Sequence, residues 1–110
     1  MFIATGLHVD AIPEQSGKGF KLGDQKFFAV KKNGQLFVYR NSCPHIGIAL
    51  EWVEDQFLDS SKSMIQCANH GALFVIESGH CVSGPCSGQK LRKIQFQLID
   101  GEIHIDSNEI

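Results

Sequence analysis

Cys43-Pro44-His45-Ile46-Gly47 and, further on, Cys67-Ala68-Asn69-His70-Gly71 are the two stretches on which the reading of this chain turns. Each is a cysteine followed closely by a histidine and then a glycine, with 21 residues between His45 and Cys67. Taken singly, a cysteine is usually a small buried apolar residue, and a lone histidine is more often structural than a ligand. Taken as two mixed pairs, Cys43, His45, Cys67 and His70 are candidate metal ligands. One loop bearing both a thiolate and an imidazole can reach two neighbouring metal atoms, and two such loops facing each other supply four ligands. The glycines suit tight backbone turns, where a Cβ would obstruct, and Pro44 stiffens the first loop by fixing its φ. Two thiolates and two imidazoles fit either a single tetrahedral zinc or a two-iron cluster with both cysteines on one iron and both histidines on the other. Zinc knuckles usually pair Cys with Cys and His with His. Mixed pairs suit the asymmetric cluster.

Around these loops the pattern is all-β. Lys26–Lys32 and Gln35–Arg40 read as strands joined by Asn33-Gly34, the strongest short hairpin signal because both turn residues tolerate positive φ. Ile94, Phe96 and Leu98 alternate with Gln95 and Gln97, and after Asp100-Gly101 come Ile103 and Ile105. That predicts a second hairpin with one buried face. A third is expected around Ser78-Gly79, between Ala72–Ile76 and the segment of Cys81. Thr5–Ile12 and Phe20–Leu22 are further candidate strands, separated by a turn-rich Pro13–Gly19, and Ile48–Glu54 could form a helical turn. Many short strands with Gly-rich turns predict a small barrel or sandwich.

At 110 residues the chain is expected to be one domain, 1–110. Eight Phe against one Trp and one Tyr point to a Phe-filled core. A net charge of −2 gives no reason to expect nucleic acid. Charge is nonetheless uneven. Lys18, Lys21, Lys26, Lys31, Lys32 and Arg40 face only Asp24; Glu51, Glu54, Asp55 and Asp59 form an acidic run; Lys90, Arg92 and Lys93 are a second basic group. Such runs are solvated faces or a charged docking surface near the metal site that steers transient encounters. No apolar run approaches the roughly 20 residues of a membrane span, and Met1–Gly6 is no secretory signal. A cytoplasmic protein without a membrane partner is expected, in which metal binding is a better default for cysteines than disulfides. Cys81 and Cys86 are left over; free thiols, a disulfide and extra metal ligands are their three readings, with free thiols favoured.

The chain resembles the Rieske family. The carrying residues are Cys43-Pro44-His45-Ile46-Gly47, then Cys67-Ala68-Asn69-His70-Gly71-Ala72-Leu73-Phe74, and Gly79…Gly84-Pro85, which resembles the family's proline loop. The likeness spans roughly residues 25–105. It implies one [2Fe–2S] cluster on Cys43, His45, Cys67 and His70. It also implies a Rieske fold of small antiparallel sheets, a barrel-like sandwich, with a cluster-binding subdomain at about 41–87 made of two ligand loops and a proline loop.

Departures from the family's subtypes narrow the expectation. High-potential Rieske proteins of respiratory complexes carry a second Cys in each ligand loop; Ile48 and Asn69 stand there. Their tuning Ser and Tyr, two and four residues after the second-loop His, correspond to Ala72 and Phe74. Ring-hydroxylating oxygenase subunits attach a catalytic domain for which 110 residues leave no room. The resemblance therefore implies a free-standing, low-potential ferredoxin that passes single electrons from a reductase to an oxygenase or similar redox enzyme. A small subunit of a larger reductase, such as nitrite reductase, and a zinc-stabilised or redox-sensing module are the alternatives. No Ser/His/Asp set and no phosphate-binding Gly loop is present, so no catalytic residue and no small-molecule substrate is expected.

Overall fold

A computed structural model describes residues 1–42, 50, 55–68, 71–84 and 87–109. Among them nine strands run in chain order: β1 Phe2–His8, β2 Ser16–Leu22, β3 Gln25–Lys32, β4 Gln35–Arg40, β5 Met64–Gln66, β6 Leu73–Val75, β7 Cys81–Ser83, β8 Phe96–Ile99 and β9 Glu102–Asp106. They form three antiparallel three-stranded sheets, ordered β1-β9-β8, β2-β3-β4 and β5-β6-β7. The helical content of the described residues is two 3₁₀ turns, Val9–Ala11 and Ser107–Glu109, and no helix there is long and apolar enough to cross a membrane.

The three expected hairpins are present, and the turn chemistry explains two of them. Asn33 and Gly34 both have positive φ (54° and 73°), as do Asp100 and Gly101 (53° and 80°). That is the twist a two-residue loop needs between right-twisted strands. The Glu14 carboxylate accepts from the N–H groups of Asn33 and Gly34, closing the first turn from outside.

The central sheet β2-β3-β4 is buried on both faces at its middle strand, so Phe27–Val30 of β3 is a run of four buried apolar residues. Phe27, Ala29 and Val38 face a core completed by Leu7, Ile12, Ile94, Ile103 and Ile105. Phe28, Val30 and Tyr39 face the other, with Phe57, Ile65, Cys67, Phe74 and Leu91. Phe28 stacks on Phe57 with ring centroids 4.5 Å apart, and four of the eight Phe are fully buried. The β5-β6-β7 sheet, inside the 41–87 stretch, is thus fixed to the central sheet through this second core.

Three expectations need correction, and one strand has no counterpart in the sequence reading. β2 begins at Ser16, not after Gly19, because Gly17 serves close packing and not a turn: a Cβ there would lie 3.2 Å from the Phe57 ring. The first strand is Phe2–His8, giving way to a 3₁₀ turn where Thr5–Ile12 had read as continuous. The second hairpin buries Ile103 and Ile105, but Leu98 on the edge strand β8 is 47% exposed. Strand β5 was not foreseen, since three residues with one buried side chain carry no periodic signal. The helical turn expected at Ile48–Glu54 lies, Leu50 apart, outside the described residues.

Candidate metal centre

Strand β4 ends at Arg40, and the chain then leaves the central sheet. The Asn41 N–H donates to the Lys26 carbonyl of β3 (2.9 Å). The Asn41 Oδ1 accepts from the Leu50 N–H (2.9 Å), so one buried side chain joins the two ends of the segment 43–49. The Leu50 carbonyl in turn accepts from the Ala68 N–H (2.8 Å).

Between β5 and β6 the second loop closes on itself. The Cys67 N–H donates to Ala72 O (2.9 Å), and the Gly71 N–H donates to Cys67 O (2.8 Å). Gly71 has φ +68°, a conformation that costs glycine little and most side chains much. Cys67 has no exposed surface and sits among Phe28, Leu50, Phe57, Ile65 and Phe74. A metal-coordinated thiol is deprotonated outright, its charge met by the ion. The burial, the closed loop and the Cys/His donor chemistry of the sequence therefore fit a metal-bound cysteine.

The third loop lies against the second. Gly84 has φ +99°, and a Cβ there would come 2.8 Å from Ala72 Cα. The Ser87 N–H and hydroxyl both donate to Gly84 O (3.2 and 2.9 Å), closing the segment that follows β7. Cys81 is buried, and its Sγ donates to Ser83 O (3.2 Å). Ala72 and Phe74 have no exposed surface.

Of the four predicted ligands, Cys67 is placed at the base of this closed loop. Cys43, His45 and His70 lie outside the described residues, as do Pro85, Cys86, Ile48 and Asn69. The remaining histidines sit elsewhere. His8 Nε2 is 3.1 Å from Asp100 O, His104 Nε2 is 3.7 Å from Glu102, and His80 is exposed near the β6–β7 turn. No group of three or more His, Cys, Asp or Glu among the described residues could hold a metal.

Two of the four acidic residues read as a possible docking run are committed internally. Asp55 binds the Lys18 ammonium (2.9 Å) and the Gly19 N–H (2.8 Å). Partial desolvation pushes its carboxyl up, but the Gly19 N–H and Lys18 outweigh it and hold the group below its ordinary range. Desolvation, the largest single influence on Asp59, pushes its carboxyl up, but the Ser61 hydroxyl and the N–H groups of Met64 and Ser63 together outweigh it and hold the group low too. Glu51 and Glu54 lie outside the described residues.

Sequence reasoning missed Asn41, Leu50 and Ala68. An asparagine just outside a ligand loop is a signal, since its side chain readily replaces a backbone partner. Its target could not be read, because Leu50 is brought to it only by the path of the loop.

Comparison with known proteins bears on the family and the fold. The Rieske [2Fe–2S] domain profile matches residues 5–101. A cytochrome b6-f complex iron-sulfur subunit of Chlorobaculum tepidum is 29% identical over 92 residues, which cover 84% of this chain and 46% of that protein. Its counterpart in Chlorobaculum thiosulfatiphilum is 28% identical over 74 residues, 67% of this chain and 37% of that protein. The chain thus spans less than half the length of these relatives. In fold it is similar to the ferredoxin of carbazole 1,9a-dioxygenase from Nocardioides aromaticivorans IC177 (TM-score 0.74, 16% identity, 96% of both chains). It is also similar to part of the terminal oxygenase of carbazole 1,9a-dioxygenase from Novosphingobium sp. KA1 (TM-score 0.74, 19% identity, 90% of this chain and 28% of that one).

Proposed function

The chain belongs to the Rieske [2Fe–2S] domain family, and on that basis we propose that it is a cytoplasmic ferredoxin relaying single electrons from a reductase to an oxygenase or similar redox enzyme. Electron carriage and one [2Fe–2S] cluster come with the family. The proposal adds the ligands, Cys43, His45, Cys67 and His70, within one domain whose cluster-binding part is about 41–87. When bound, the cluster supplies a one-electron couple with no bond made or broken, and two imidazoles in place of two thiolates make it a readier acceptor than an all-cysteine cluster.

The chain's own part is to hold donors and exclude water. Cys67, Ala72 and Phe74 present no surface to solvent, and Gly84 packs on Ala72 over the second loop. Beneath, the Tyr39 hydroxyl donates to Ile76 O (2.6 Å). Burial, then the charge of Glu77, pushes its pKa up to about 12, so it stays a neutral donor. The observation that carries the reading is the fully buried Cys67 at the base of a loop closed by Ala72 and tied through Ala68 to Leu50. Likeness in fold to a ferredoxin supports the carrier reading.

A second reading, electron carriage within a membrane complex, is favoured by the cytochrome b6-f iron-sulfur subunits among the relatives. A visible spectrum tests the cofactor: the reddish-brown Rieske spectrum is expected, and a colourless, zinc-loaded protein rejects it. The midpoint potential separates the two electron-carrier readings, a low value favouring the ferredoxin and a value above zero the complex subunit.

A further inference from the structure

We propose that Asn41 is the positioning residue that sets the gap between the two ligand loops and so governs how firmly the cluster is held; this rests on the ligand assignment above. A continuous line of hydrogen bonds crosses the site. It runs from the Lys26 carbonyl of β3 to the Asn41 N–H (2.9 Å), from the Asn41 Oδ1 to the Leu50 N–H (2.9 Å), and from the Leu50 carbonyl to the Ala68 N–H (2.8 Å). Ala68 adjoins Cys67, and Asn41 stands two residues before Cys43. The line therefore begins on the central sheet, joins residues on either side of 43–49 and ends beside Cys67.

Every link but one is backbone to backbone, so the Asn41 carboxamide is the step that a substitution can remove. Asn41 is 7% exposed and Leu50 has no exposed surface. Water cannot easily take over the bond, and an unpaired buried N–H carries its full desolvation penalty. Each loop would supply one thiolate and one imidazole to the cluster, so the spacing of the residues that hold the loops would bear on all four ligands. Groups that orient ligands from behind govern metal retention and tune the centre.

The test compares Asn41→Ala with Asn41→Asp, which keeps an acceptor oxygen at the same reach, and with Tyr39→Phe, which removes a buried hydrogen bond elsewhere in the same core. Cluster loss is followed in the intact holoprotein as bleaching of the visible absorbance under an iron chelator. The reduced electron paramagnetic resonance (EPR) spectrum and midpoint potential are recorded alongside. Asn41→Ala is expected to lose the cluster about tenfold faster, corresponding to ~1.4 kcal/mol, with a changed EPR line shape. Asn41→Asp should recover most of the lifetime, and Tyr39→Phe should lower the melting temperature without changing line shape. Wild-type lifetime, line shape and potential in Asn41→Ala would overturn the proposal. If Asn41→Ala does not fold, hydrogen exchange of the wild type read by mass spectrometry decides. The Leu50 and Ala68 amides should be strongly protected in the holoprotein, and free exchange at either overturns it. A wild type without the iron–sulfur spectrum would instead be a failure of the ligand assignment.

Discussion

Ala72 and Phe74 are the residues that set what this centre lacks. Neither carries a hydroxyl, and both are fully buried beside the second loop. A hydroxyl donated to a cluster or cysteine sulfur stabilises the more negative, reduced state and raises the potential. Rieske centres span roughly −150 to +300 mV, so the wild type is expected near the low end, about −150 mV. Ala72→Ser and Phe74→Tyr should each raise it by about 60 mV, the one-electron equivalent of ~1.4 kcal/mol. Protein-film voltammetry checks both, and a wild-type potential above zero would contradict the assignment. Serine at 72 must fit beside Gly84, whose missing Cβ leaves the space above Ala72.

Asp55 offers a second test at this scale. Its folded-state pKa is depressed, so its contribution to stability is present above the unfolded aspartate range and is lost as pH falls through the folded value. Asp55→Asn should therefore melt at a lower temperature than wild type at neutral pH, with the gap closing as the solution is acidified. Asn tolerates the positive φ of 65° at this position, so backbone strain does not confound the comparison. A gap that is constant with pH would mean that the carboxylate's charge contributes nothing. Single residues were legible where their chemistry is local: the Cys67…Gly71 spacing already called for a closed loop with a glycine in it. Asn41 and Asp55 were not, because each acts on a partner brought close only by the fold, Leu50 and the Lys18–Gly19 stretch.

At the scale of elements, the hairpins were readable because Asn33-Gly34 and Asp100-Gly101 encode their own geometry. Strand β5 was not, because Met64–Gln66 pairs with another three-residue strand and bridges Leu58, and owes its form to those neighbours. Gly17 misled for a related reason: a glycine in a strand reads as a turn until the Phe57 ring against it is seen. Gly84 is the element-scale test. Its positive φ and its contact with Ala72 both oppose a side chain. Gly84→Ala should cost about 1–3 kcal/mol of strain and lift the third loop from the second. The measurable result is faster bleaching of the cluster in air, with far-UV circular dichroism little changed. Unchanged bleaching would show that this contact does not shield the site.

The whole molecule is a central sheet with a core on each face, one of them shared with the small sheet β5-β6-β7 that carries Cys67. That plan recurs at 16% identity in a dioxygenase ferredoxin, as expected when turn residues, a doubly buried strand and ligand loops carry most of the specification. Surface charge was the least legible property at this scale. The acidic run reads as a docking face in one dimension, yet Asp55 is spent on holding β2 and Asp59 on closing its own loop. The measurement that bears most directly on the account is pulsed EPR of the reduced protein, with and without ¹⁵N-histidine labelling, on the wild type and His45→Ala. The account predicts a two-iron signal coupled to two histidine nitrogens, shifted by the label and lost in His45→Ala. A signal with no histidine coupling, or one that survives His45→Ala with full iron content, would contradict it.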